Sequence, residues 1–270
     1  MMVVTEHIGG GPLVVSMPHS GLKLSPGLEQ RLSPEARALP DTDWHIPELY
    51  DFLAPLNATI IAAEYSRYVI DLNRDPSGQS LYPGQATTAL VPVARFDGEP
   101  IYRDGEAPDT VETEARKRDY FEPYHAALER ALERARSRHG YAFLWDAHSI
   151  ASEVPRLFEG GLPDLNLGTN SGASCAPVIE AEAVRMMQAA TDFSSVSNGR
   201  FKGGWITRHY GRPELGVHAL QMEIGQNAYM GGAPGYAFDP AKAARLRPVL
   251  NSIISAALDA AAEFHAGASS

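Results

Sequence analysis

Cysteine is nearly absent: Cys175 is the only one in 270 residues. No disulfide can form within the chain, so a disulfide scaffold and a four-thiolate zinc site are both excluded. Cationic excess is absent as well. Lys+Arg number 23 against 33 Asp+Glu, a formal charge of −10, which is the wrong sign for gripping nucleic acid or an anionic membrane. No uncharged apolar run is long enough to span a bilayer. The N-terminus lacks the basic start and long apolar stretch of a secretory leader, so a cytoplasmic location is expected. Internal repeats and low-complexity linkers are missing. A Gly-x-Ser-x-Gly turn is missing too, which weighs against a serine hydrolase although Ser20 and Ser149 each neighbour a histidine.

What is present is a chain with 44% hydrophobic residues, enough to offset the entropy of ordering and to bury a sizeable core. Residues 1–270 are expected to form one catalytic domain. Short apolar runs alternate with amphipathic stretches, the pattern of an α/β fold with a central sheet flanked by helices. Strands are expected at 12–18, 58–63, 68–72, 141–146, 162–167, 193–196 and 217–224. Adjacent apolar residues in several of them imply burial on both faces. Helices are expected at 46–56, 113–139, 176–190 and 241–265, each with apolar residues at spacings of three and four. The segment 75–109 carries five prolines and four glycines and reads as a long functional loop. A second loop, rich in Gly and Arg, is expected at 198–213.

Four segments carry the chemistry, each read as leaving the end of a strand, where open α/β sheets build their sites. In Met17-Pro18-His19-Ser20-Gly21 a histidine follows a strand and small residues let the chain turn. In Asp146-Ala147-His148-Ser149 a second strand delivers a histidine, with Asp146 placed to orient an imidazole. Two such histidines make a metal site, although each alone reads equally as a turn cap or a structural hydrogen-bonded pair. Asp71-Leu72-Asn73-Arg74-Asp75 offers a planar guanidinium that can take a carboxylate bidentately, with an amide beside it; a surface Arg–Asp pair is the plainer reading. In Gln221-Met222-Glu223-Ile224-Gly225 a carboxylate lies in an apolar strand. Burial there raises its pKa and suits Glu223 to general-base work unless a buried salt bridge holds it. A hydrolytic zinc site needs a third protein ligand. Asp43, just ahead of a helix, is favoured over Glu48 and Glu64, though Asp43 also suits a helix cap.

The ordered set MPHSG (17–21), DTDW (41–44), SRYVIDLNRDP (66–76), LYPG (81–84), PYH (123–125), DAHS (146–149), LGTNSG (167–172), GGWITRHYG (203–211) and QMEIG (221–225) resembles the N-formylglutamate amidohydrolase family across nearly the whole chain. The resemblance implies a zinc-carboxypeptidase-like (phosphorylase/hydrolase-like) core with a mixed sheet. It implies one divalent metal, zinc, held by His19 and His148, with Glu223 as general base. It also implies that Asn73 and Arg74 hold a substrate carboxylate. Those peptidases take a Glu three residues after the first His, where this chain has Leu22, so the third ligand stays open.

The implied reaction is hydrolysis of N-formyl-L-glutamate to L-glutamate and formate, a step of histidine degradation. A small dianion approaching an acidic protein must be held by local cations. Arg74 is expected to take one carboxylate and Arg67 or Arg208 the other, with Arg212, His125 and His209 nearby in sequence; His125 reads at least as well as a core histidine. The competing readings are a metal amidohydrolase for another N-acyl amino acid and a non-catalytic small-molecule binder.

Overall fold

The computed structural model describes residues 2–79, 88–232 and 235–268. Among them, seven strands share one sheet in the order β1-β3-β2-β4-β7-β5-β6. The strands are β1 (Val4–His7), β2 (Leu13–Met17), β3 (Thr59–Ala63), β4 (Ala142–Ile150), β5 (Leu165–Gly168), β6 (Ser195–Ser197) and β7 (Val217–Gly225). The helices are α1 (Leu28–Arg31), α2 (Ile46–Leu49), α3 (Thr110–Arg116), α4 (Glu122–His139), α5 (Pro177–Ala189), α6 (Trp205–Tyr210) and α7 (Pro240–Ala268). The four central strands, β3, β2, β4 and β7, run parallel. β1 and β5 join antiparallel, and β6 runs parallel to β5. The α/β fold expected from the alternation of runs, and the mixed sheet that the family resemblance implies, are observed.

Every residue of β2 and β4 is buried, because helices cover both faces of the sheet. Side chains alternate between those faces. Leu13, Val15, Phe143, Trp145, Leu220 and Met222 pack with Ile179 and Ala183 of α5 and with Leu246, Leu250 and Ile253 of α7. Val14, Leu144 and Ala219 point the other way, into a cluster with Tyr124, Leu128 and Ala131 of α4. Two residues further along each strand this second face turns polar: Ser16 on β2, Asp146 and His148 on β4, Gln221 and Glu223 on β7. All five are buried. Five polar groups survive there only because each finds a partner.

Several elements differ from expectation. Residues 68–72 form no strand: Tyr68, Val69, Ile70 and Leu72 are buried in the α4-side cluster. An apolar run satisfied by packing carries no ladder signature to separate it from a strand. The expected 113–139 helix starts at Thr110, capped by the Asp109 carboxylate accepting from Glu112 N at 2.8 Å, and includes a π-turn over Lys117–Phe121. The 46–56 helix is α-helical only to Leu49 and continues as a 3₁₀ turn over Asp51–Leu56, which contains Pro55. The 198–213 loop contains α6. β1 carries mostly exposed residues and had no apolar signal to find.

Candidate active site

His19 leaves β2 in a turn where Gly21 lies against the backbone of Tyr65, so closely that a Cβ there would meet Tyr65 O at 2.3 Å. Asp43 N donates to His19 O at 3.1 Å, tying the segment ahead of α2 to this turn. His148 projects from within β4. Ligand atoms of His19, Asp43 and His148 lie within 4.8 Å of one another, and among the described residues no other such trio converges. Both imidazoles turn Nδ1 toward Asp43: His148 Nδ1 is 3.0 Å and His19 Nδ1 3.7 Å from Asp43 Oδ2. Both present Nε2 to a second carboxylate, His19 to Asp71 Oδ1 at 2.7 Å and His148 to Asp146 Oδ2 at 3.1 Å. A carboxylate behind the far ring nitrogen is what orients metal-binding histidines and fixes their tautomer. Two nitrogens and one oxygen with room for a fourth ligand are the donor set of a hydrolytic zinc site, so the residues present fit a divalent cation.

The electrostatics agree with that geometry. Burial pushes the Asp43 carboxyl up, but hydrogen bonds and charge from His148 and His19 outweigh it and hold the group ionised. Burial is likewise the largest influence on Asp71, overcome by the guanidiniums of Arg74 and Arg67, which keep it well below the usual range. Burial alone would lower the His148 pKa; Asp146 and Asp43 drive it well above. Asp43 within the trio and Asp71 behind His19 are both held ionised, a setting that suits a divalent cation.

Glu223 stands beside His148, its register partner on β7. It is buried, and desolvation pushes its pKa up to about 8 against the opposing charge of His148. Gln221 Nε2 donates to its Oε2 at 3.3 Å. Together these residues floor a cleft lined also by Arg67, Arg74, Arg200, Phe96, Leu157 and Phe201.

The other candidates fall as follows. Arg74 lines the cleft, with Nε and Nη2 donating to Thr88 Oγ1 at 3.0 and 2.8 Å. Arg67 lines it too, but Nη2 donates to Asp71 Oδ2 at 2.7 Å and Nη1 is 3.8 Å from Asp43. Asn73 has its amide engaged: Oδ1 accepts from Ile206 N at 2.7 Å, and Nδ2 lies 2.9 Å from His148 Nε2 and 3.3 Å from Asp146 Oδ2. It lines the cleft as well, so its amide lies both beside His148 and at the cleft surface. Arg208 donates to Gly203 O at 2.8 Å and is not among the cleft-lining residues. Glu48 pairs with His45 and is exposed, and Glu64 pairs with Lys23; neither reaches the two histidines. His125 is a core histidine, with Nε2 2.9 Å from Leu72 O and Nδ1 3.0 Å from Tyr210 Oη. His209 stacks on Trp205, and Arg212 is exposed. The LYPG piece at 81–84 lies outside the described residues. Sequence reasoning did not single out Asp71 or Arg200, although the DLNRD run and the Arg-rich loop held them in view.

The N-formylglutamate amidohydrolase family profile matches residues 11–230. The chain belongs to that family. The N-formylglutamate deformylase of Pseudomonas putida is 49% identical over 261 residues, covering 97% of each chain. That of Pseudomonas aeruginosa is 51% identical over 251 residues, 92% of this chain and 94% of the relative. A crystal structure of N-formylglutamate amidohydrolase from Ralstonia eutropha superposes with a TM-score of 0.78 at 26% identity, covering 95% of this chain and 97% of that one. The matched stretch of this N-formylglutamate amidohydrolase family member contains all of His19, Asp43, His148 and Glu223, and ends before α7 begins.

Proposed function

We propose that this chain hydrolyses N-formyl-L-glutamate to L-glutamate and formate, with His19, Asp43 and His148 holding one divalent metal, zinc, and Glu223 as general base. The observation that carries the reading is the His19–Asp43–His148 trio with Glu223 on the adjacent strand, beneath an arginine-lined cleft, in a chain about half identical to two deformylases. A divalent cation bound there would polarise the formyl oxygen and lower the pKa of water toward neutrality. Glu223 removes a proton from the attacking water and delivers it to the departing nitrogen, a necessary transfer because an amide leaves badly as an anion. Arg74 takes a substrate carboxylate through its guanidinium. Asn73, Asp71 and Asp146 hold the two imidazoles in place. Residues 1–270 act as one catalytic domain: β1 and β7 share a sheet, and α7 packs on it. No helix among the described residues is long and apolar enough to cross a membrane.

The test is formate release from N-formyl-L-glutamate by purified protein of known metal content. Turnover should be lost on chelation and restored by adding metal back. Formate release that survives complete metal removal sinks the metal-dependent reading.

A further inference from the structure

We propose that Arg200 is the residue that selects a dicarboxylic substrate, by receiving the side-chain carboxylate of the N-formyl amino acid. The proposal rests on the deformylase reading given above and assigns the second cation that a dianionic substrate requires. Of the cleft arginines, Arg67 is committed to the protein itself: buried, 2.7 Å from Asp71 and 3.8 Å from Asp43. Arg74 sits beside Asp71, with Nε at 3.7 Å. Both belong to the charge network behind His19. Arg200 belongs to a different wall. Its Nε donates to Leu157 O at 2.8 Å and its guanidinium lies 5.4 Å from the Phe201 ring centroid. Leu157, Phe201, Phe96 and Ile150 line the cleft with it and form a small apolar cluster of their own. An aliphatic chain ending in a carboxylate matches that wall: methylenes against the apolar side chains, anion against the guanidinium.

The loop that carries Arg200 is clamped at both ends. Asn198 adopts φ 51°; its Oδ1 accepts from Thr169 N and Ser171 N at 3.0 and 3.1 Å, and its Nδ2 donates to Glu180 at 2.9 Å. The LGTNSG motif, with residues 170, 171 and 172 all left-handed, supplies that clamp. At the other end Gly204 N donates to Gln221 Oε1 at 2.7 Å, and a Cβ on Gly168 would meet Gly203 N at 2.6 Å. A backbone held this way presents Arg200 with little ordering left to lose on binding.

The test compares kcat/KM for N-formyl-L-glutamate and its neutral isostere N-formyl-L-glutamine, in wild type and in Arg200→Gln and Arg200→Lys. Wild type should prefer the acid. Arg200→Gln should lower kcat/KM for the acid by about 10- to 100-fold, the loss expected for a charge-assisted contact, while the value for the amide stays near wild type. Arg200→Lys, which keeps the charge without the fork, should fall between. Equal cleavage of acid and amide by wild type overturns the assignment without any variant. Parallel losses on both substrates in Arg200→Gln, or an unchanged acid-to-amide ratio, overturn it as well. Wild type that releases no formate from N-formyl-L-glutamate fails the deformylase reading itself, a separate outcome.

Discussion

His148 and Glu223 are paired residues on the parallel strands β4 and β7. Their side chains therefore leave the same face of the sheet, side by side, on two strands that are buried throughout except at Val217. In the roles proposed for them, metal ligand and general base, the two side chains need no induced movement to come into register, and the consequences can be measured.

Glu223→Gln keeps the volume and removes the base. Metal content should stay at the wild-type level, and kcat should fall at least about 100-fold. Turnover close to wild type in a metal-loaded variant removes Glu223 from the role.

Asp43 supplies the oxygen donor of the trio. Zinc added to metal-free wild type should raise the unfolding temperature, corresponding to about 2.7 kcal/mol at a free metal concentration 100 times the dissociation constant. Asp43→Ala should abolish the metal-induced shift. Substituting the supporting carboxylates, Asp71→Asn or Asp146→Asn, should weaken zinc about 10- to 100-fold without abolishing binding. Calorimetric titration ranks the three.

Gly204 has no room for a side chain: a Cβ would lie 2.4 Å from Asn73 Nδ2. The Asn73 amide cannot yield, because it supports His148 and accepts from Ile206 N. Gly204→Ala should lower kcat and zinc affinity together, although residue 204 touches neither the trio nor a strained backbone angle. A variant with wild-type zinc affinity would show that Asn73 is dispensable to His148.

His125 is buried and its pKa is pushed down to about 3, first by burial. Unfolded, it titrates near 6.5. Below 6.5 the unfolded chain binds a proton the folded chain refuses, so stability is full above 6.5 and is lost as pH falls toward 3. One such group contributes a slope of up to about 1.4 kcal/mol per pH unit within that window. His125→Gln should flatten the dependence of unfolding free energy on pH between 6 and 4. His218, pushed down to about 4 mainly by burial, keeps its own share, so the flattening is partial.

The sheet was legible because its central strands are consecutive apolar runs, and the histidines and Glu223 stood out because polar groups interrupt those runs. The contacts of Asn73 were not legible. An Asn-Arg dipeptide reads as a binding pair, and only packing shows the Asn amide engaged by Ile206, His148 and Asp146. Arg208 and Arg200 share one Arg-rich stretch, and nothing in their spacing says which lines the cleft; Arg200 does, and Arg208 lies on α6, a helix that sequence reading took for loop.

By itself, the sequence determined which residue types are available: a single cysteine, histidines at or near the ends of apolar runs, a glutamate within one such run, and a few arginines against a net charge of −10. Composition and period are local properties, and a chain carries them before it folds. The choice of Asp43 over Glu48 and Glu64, the two carboxylates behind the imidazoles, and the arginines that face the cleft were decided by tertiary structure. Those choices depend on distances between segments tens of residues apart, which strand order and loop anchoring set and no local pattern encodes.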